Sequence, residues 1–345
     1  MTRRSGGARI SVFVAAAIIA ILAFLLPLFI SSNYYITVLV NCLMFGSIGL
    51  AWNLISGYGG QVSWCHSVFV TIGAYTGIIL YSKFAISPFV SMFLAAGLAW
   101  VLSSVIGKVS FRYRGPFFSI TTIALSEIVR VLLLYFVDFT NGARGISVRY
   151  TSPNFWYLLF PNNKPFYYIG IVVVIAMIVF SKFFERSKTG YYLRAIKEDE
   201  DAAISLGIRT GKVKQTAFQI SAMLTAALGV IYAFFLTFVE PNTICSVDLS
   251  IKIGSVAIVG GIGSSWGAIL GAFVIIPLTE LASVLLGSSG GTQLLYGLAL
   301  VIVVIFQPRG LAYLFNKNSK IAAAVYKAAD RLRRTGGNHG YDPGS

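Results

Sequence analysis

Lys182-Phe-Phe-Glu-Arg-Ser-Lys-Thr-Gly190-Tyr-Tyr-Leu-Arg194-Ala-Ile-Lys-Glu198-Asp-Glu-Asp201-Ala-Ala-Ile-Ser-Leu206-Gly-Ile-Arg-Thr-Gly-Lys-Val-Lys214 is a charged island between two apolar runs, 166–183 and 215–238. Each run is long enough to cross about 30 Å of hydrocarbon as a helix. The island is therefore a polar segment held at a membrane surface, and the fold that contains it is a bundle of spanning helices. From Arg194 to Ile208 the island has the pattern of one short helix. Leu193, Ile196, Ala203, Ile204 and Leu206 supply apolar positions, Glu198, Asp199, Glu200 and Asp201 the wet ones, and Gly207 a C-terminal stop. Two readings stand at this point: a solvated connector that satisfies topology, or a helix against which something docks.

Composition agrees with the membrane reading. Of 345 residues, 57% are hydrophobic and 11% charged, and the mean hydropathy is +0.78, far outside soluble globular usage. Backbone polar groups need internal partners in lipid, and the alternating pattern of a membrane barrel is absent, so the spans are helical. The expected fold class is all-α and polytopic, with about ten spans near 10–30, 35–56, 62–82, 87–107, 116–137, 166–183, 215–238, 249–263, 266–286 and 291–307. The first run follows Arg3, Arg4 and Arg9. It is longer than a secretory h-region and lacks a small-x-small site before Asn33, so it is read as a retained span.

Most of the 27 Lys and Arg residues fall at the N-terminus, in Lys108 to Arg114, in the island, and in the tail from Arg309. Placing all four on the cytoplasmic side satisfies the positive-inside rule and puts both termini inside. The net charge of +15 then needs no nucleic acid to explain it. Tyr34, Tyr35, Trp156, Tyr157, Tyr167 and Tyr168 fall at outer interfaces, and the loop from Asp138 to Pro165 is the longest external segment. Residues 313–345 form a basic tail, with Lys320 to Arg334 as an Ala-rich helix along anionic lipid headgroups and a disordered end.

The sequence offers no catalytic constellation. It has two histidines, His66 and His339, and no P-loop, no nucleophile elbow and no metal-ligand pair at helical spacing, so no enzyme, metal or cofactor is expected. Cys42, Cys65 and Cys245 read as small buried hydrophobes. Charged residues within spans point to function by default. Glu127 and Arg130, read as mid-span and three apart on one helix face, form either a structural clamp or a polar element beside a transport route. Glu280 has no local basic partner. Gly263, Gly267 and Gly271, with Ala268 and Ala272, make a stripe for close helix packing, whereas Gly57, Gly59 and Gly60 suit an unwound hinge. The segments beside Gly57-Tyr-Gly-Gly60 and Gly260-Gly-Ile-Gly263 read equally as full spans or as broken helices that re-enter.

These blocks together resemble the permease subunits of branched-chain amino acid ABC importers, of the LivM type. The resemblance covers about residues 35 to 312. It rests on Asn53-Leu-Ile-Ser-Gly57-Tyr-Gly-Gly60-Gln61-Val-Ser63-Trp-Cys-His66, Gly73-Ala-Tyr75, Arg114-Gly115 with Ser126-Glu127-Ile-Val-Arg130, and Asn141-Gly-Ala-Arg-Gly145-Ile146. Its most specific block is Gly190-Tyr-Tyr-Leu-Arg194-Ala-Ile-Lys-Glu198-Asp-Glu-Asp201-Ala-Ala203 followed by Leu206-Gly207-Ile208; Gly260-Gly-Ile-Gly263-Ser264 and Pro308-Arg-Gly310-Leu311 close it. Where the family has Ser-Leu-Gly-His, this chain has Ser63-Trp64-Cys65-His66, a departure that bears on substrate and leaves the class untouched.

The resemblance implies a permease domain over residues 1–312, paired with a second homologous permease subunit. It further implies two cytoplasmic ABC ATPases below and a soluble solute-binding protein outside. The cytoplasmic segment 185–212 would insert into a cleft of an ATPase through Arg194, Ile196, Glu198, Asp199, Asp201, Ala202, Ile204, Leu206 and Gly207. The acidic face would meet basic partner residues while Ile196, Ile204 and Leu206 fill an apolar groove. Residues expected along the translocation path are Gly57, Gly59, Gly60, Gln61, Ser63, His66, Glu127, Arg130, Gly260, Gly261 and Gly263. The expected cargo is a branched-chain or related amino acid, carried across the inner membrane. Related permeases carry urea or short amides, and a stand-alone secondary transporter or channel is the rival of another class.

Overall fold

The computed structural model describes residues 26–286 except 28 and 31, the scattered positions 291, 294, 297, 298 and 301, and residues 310–315. The expected spans at 10–30 and 291–307, and the basic tail, lie outside or almost outside the described residues. The other eight expected spans all have counterparts among eight helical segments long and apolar enough to cross a membrane.

In chain order the helices are α1 (Asn33–Gly59), α2 (His66–Phe84), α3 (Pro88–Ser110), α4 (Pro116–Tyr135) and the short α5 (Val137–Thr140). Then come α6 (Lys164–Arg186), α7 (Lys188–Glu198), α8 (Glu200–Ser205), α9 (Thr210–Leu236), the short α10 (Pro241–Ile244), α11 (Val247–Gly260) and α12 (Gly267–Leu286). Prolines set several starts, as in α3, where Pro88 follows a Ser87 cap whose Oγ accepts from Phe89 N at 3.3 Å. One antiparallel pair, β1 (Ile146–Ser147) with β2 (Phe238–Val239), fastens the loop between α5 and α6 to the end of α9.

Helices α1 and α9 form the axis. Nearly all of the second half of α1 is buried on every side, as expected of a helix that is apolar all round. Helix α1 packs against α6, α9, α11 and α12, and α9 packs against α2 and α3 as well. Trp52, Phe69, Phe118, Phe218 and Phe234 are the largest side chains sealed in this core. Without a hydrophobic drive between helices in lipid, close association needs small residues at the contacts. Helix α3 accordingly buries Ser91, Ala95, Ala99 and Ser103 while Phe93, Leu98, Val101 and Val105 stay exposed. On α12, Gly271 lies so near α11 that an added Cβ would stand 1.9 Å from Val256 O.

One expectation changes. The glycine stripe packs at Gly267 and Gly271, but Gly263 belongs to the turn between α11 and α12, where its φ is 80°. The segment expected at 249–263 corresponds to α11, and the short α10 before it, set off at Cys245 and Ser246, extends the candidate span back to Pro241.

Candidate functional site

The island folds as two helices, not the single helix expected. Ser187 caps α7, its Oγ accepting from Gly190 N at 3.2 Å. Asp199 then breaks the run: it is extended (φ −156°, ψ 110°), and its carboxylate accepts from Asp201 N at 2.9 Å and Ala202 N at 3.0 Å to cap α8. Asp199 thus works as an N-cap, and Glu200 and Asp201 in the first turn complement the helix dipole. Gly207, with φ 82°, ends the second helix.

The acidic residues are largely committed within the chain. Glu200 accepts from Lys214 Nζ at 2.7 Å and lies 3.6 Å from Arg114, and Asp201 accepts from Arg114 Nη1 at 3.0 Å. These contacts, the hydrogen bond donated to Asp201 first, hold the Arg114 guanidinium above its ordinary range. Glu198 and Asp201 keep exposed edges, while Arg209 and Lys212 rim the other side, so the island's outer surface carries both signs. Ile196, expected to fill a partner's groove, is instead buried within the chain with Leu193 and Ala203. The apolar positions left outward are Ile204 and Leu206, 46% and 81% exposed, and Leu206 borders an open groove of about 460 Å³ with Tyr192, Gly207, Ile208, Arg209, Lys212 and Val213. Arg194 donates to Glu185 O and pairs with its carboxylate at 3.6 Å, and Ala202 is exposed.

The glycine residues form a second cluster at the same end. Gly57 and Gly59 close α1, and Gly60 ends it with φ 67°. Gly260, Gly261 and Gly263 form the turn after α11. Asn53, not among the expected site residues, joins the two: its Oδ1 accepts from Gly263 N at 2.9 Å and its Nδ2 donates to Ser264 O at 2.7 Å. A lone amide in an otherwise apolar run is the one sequence signal that could mark Asn53, though not its partner. Ser63 is buried in the following loop, its N–H donating to Ser56 Oγ and its carbonyl accepting from Trp52 Nε1 at 2.7 Å; Gln61 is half-buried beside it. His66 is enclosed between α1, α2 and α9. Its Nε2 lies 2.8 Å from Ser221 Oγ, which itself donates to Ala51 O, so the ring proton sits on Nε2.

Glu127 and Arg130 pair on α4, Arg130 Nε reaching both carboxylate oxygens at 3.0 Å while Nη1 donates to Asn242 Oδ1 at 2.6 Å. Glu127 lies near the middle of α4 and Arg130 about one turn further on, where it reaches Asn242 of α10. Helix α4 is otherwise held by hydroxyls: Ser119 Oγ donates to Val62 O at 2.8 Å, and Thr122 Oγ1 accepts from Trp64 N at 3.1 Å. Ser126 Oγ lies 3.4 Å from Ser67 Oγ, which also meets Ser250 Oγ at 2.8 Å. Lys252 of α11 places its ammonium 4.8 Å from the Phe45 ring centroid. None of these groups forms a cluster of three or more metal-ligating side chains among the described residues.

The family described as branched-chain amino acid transport system / permease component matches residues 34–306. The chain belongs to this family. The high-affinity branched-chain amino acid transport system permease protein LivM of Escherichia coli is 28% identical over 287 residues, 76% of this chain and 64% of its own length. LivM of Salmonella typhimurium is 27% identical, over 81% of this chain and 68% of its own. LivH of Escherichia coli is 26% identical, over 81% of this chain and 95% of its own. This permease-family chain thus spans slightly under two thirds of the length of its E. coli LivM relative. No solved structure matches it. Its relatives are transport permeases, not enzymes, and its spans make it a multi-pass membrane protein of the LivM type.

Proposed function

We propose that this chain is the membrane-spanning permease subunit of an ABC importer that moves branched-chain or related amino acids inward, driven by ATP hydrolysed on partner subunits. In this reading the island faces the cytoplasm and seats an ATPase, both termini are cytoplasmic, and the Asp138–Pro165 loop faces the solute-binding protein outside the inner membrane. A second homologous permease completes the pore, and the tail lies on anionic lipid. The observation that carries the reading is the island itself. It is a capped, two-helix unit whose inner side is anchored by Leu193, Ile196 and Ala203 and whose outer side presents Ile204 and Leu206 beside a groove. A mere connector has no need of two capped helices with exposed apolar residues.

Transport then follows alternating access. ATP-driven closure of the ATPases displaces the island and shifts the population of outward- and inward-open states. The permease forms no covalent intermediate. Its work is to hold two packings of nearly equal free energy, and its part in the route is the glycine turns and the Glu127–Arg130 pair.

Purification of the tagged full chain from native membranes tests the reading. A second permease and ATP-hydrolysing subunits should co-purify, and substrate with its binding protein should stimulate hydrolysis in proteoliposomes. Uptake by the chain alone, without ATP, would establish a secondary transporter instead. A cysteine at Ser205 should be shielded from an impermeant external thiol reagent in intact cells, and one at Asn162 labelled. The native cysteines are buried and contribute little background.

A further inference from the structure

We infer that Lys197 is a positioning residue that locks the island to the C-terminal turn of α1 and so makes the paired glycine turns move with the island. The last four carbonyls of a helix have no partner within it, and a cation near them is favourable. Helix α1 has no basic residue in its last turn. Lys197 of α7 supplies one from 140 positions away, its Nζ donating to Gly57 O at 2.9 Å.

The fit depends on missing side chains. A Cβ on Gly60 would stand 3.1 Å from Lys197 Cγ, and one on Gly59 would stand 3.1 Å from Leu193 Cδ2, so these two glycines form the notch that admits α7. On the opposite side of the same turn, a Cβ on Gly57 would stand 1.8 Å from Asn53 Oδ1 and 2.8 Å from Gly263 N. Gly57 is thus shared: its carbonyl holds Lys197, and its bare Cα leaves room for the Asn53 bridge to Gly263 and Ser264. From the loop that follows, Val62 O and Trp64 N continue the linkage to Ser119 and Thr122 of α4. Lys197 itself is exposed and pairs with no carboxylate among the described residues, so this hydrogen bond is its structural engagement.

The inference rests on the proposed seating of an ATPase on the island, and two measurements keep the two apart. The first uses the purified permease without ATPases. In Lys197→Met, amide hydrogen exchange should quicken at 57–61 and at 261–264 while α7 keeps its protection. Unchanged exchange at both glycine turns overturns the lock, whatever seats on the island. The second uses the reconstituted importer. Lys197→Met should assemble and hydrolyse ATP as the wild type does but move less substrate per ATP, by about fivefold or more, the lower end of typical coupling between sites. Lys197→Arg, which keeps a donor cation, should restore the ratio. An unchanged ratio in Lys197→Met overturns the inference, as does an equal fall in assembly, hydrolysis and uptake, which would make Lys197 only a structural contact.

Discussion

Lys214 reaches Glu200 at 2.7 Å from a position where its own side chain is 4% exposed and its partner's 19%. The ammonium lies at the start of α9, so this pair pins the second helix of the island to the helix that runs through the bundle axis. Glu200 has a second cation in Arg114, but Lys214 has no other carboxylate within 4 Å among the described residues. The two single neutralisations are therefore unequal. Glu200→Gln leaves a buried ammonium without its counter-charge and should cost about 3 kcal/mol. Lys214→Met, which removes the buried charge and keeps the stem, should cost less. Protease resistance of the island at graded urea concentrations measures both, and equal sensitivity would show that Arg114, not burial of Lys214, governs the pair.

The α11–α12 contact gives a sharper steric case. Val256 O stands 1.9 Å from the Cβ that Gly271→Ala would add, and the obstructing atom is backbone, so it cannot rotate aside. Overpacking of this kind costs about 1–3 kcal/mol or more. The melting temperature of the purified protein should fall accordingly. Gly97 on α3 has open space around it, and Gly97→Ala should leave the melting temperature unchanged or slightly raised, since alanine is the better helix former.

How far the sequence alone leads follows from which signals are local. The eight described spans were legible because an apolar run is a property of consecutive residues, and Gly207 was legible as a stop because it follows the last apolar position of the island. Asp199 carries a local signal too, but one that fits a wet helix face as well as a cap, and its extended backbone makes it the cap. That one break changes the helical phase, which is why Ile196 and Leu206, taken as neighbours on one face, point in different directions. Contacts across long separations left no such trace. Nothing near Asn53 announces Gly263. Likewise nothing near Arg130 announces Asn242 of α10, whose amide oxygen accepts from its guanidinium.

The Glu127–Arg130–Asn242 group separates a clamp from a route element. If the group is a clamp, Glu127→Gln or Arg130→Met alone strands a charge within a spanning helix, while the double variant strands none. Folded yield should then be lower in either single variant than in the double one. Asn242→Ala, which removes one hydrogen bond to a charged group, should cost about 1.5–3 kcal/mol. Normal yield in both single variants with uptake abolished would assign the pair to the route instead.

The outward face of the island yields the prediction on which the proposed mechanism turns. Ile204 and Leu206 are exposed, and Ile196 is buried. Ile204→Asp and Leu206→Asp should therefore leave the permease folded and inserted, yet weaken ATPase association, because each puts an unpaired charge into an interface that excludes water. The expected loss is about 2 kcal/mol or more in affinity, the range of interface positions that dominate binding. Ile196→Asp should instead reduce the yield of folded permease before any partner is added, because the charge would be buried in the chain itself. Glu198→Lys should have a smaller effect than either outward apolar change, since the island's rim already carries both signs through Asp201, Arg209 and Lys212 and exposed rim charges contribute little to affinity. Permease yield, co-purified ATPase and stimulated ATP hydrolysis, measured side by side, give the ordering. Were Ile204→Asp and Leu206→Asp to retain full ATPase binding while Arg114→Glu lost it, the seat would be the Lys108–Arg114 loop, with the island serving only to brace it through Glu200 and Asp201.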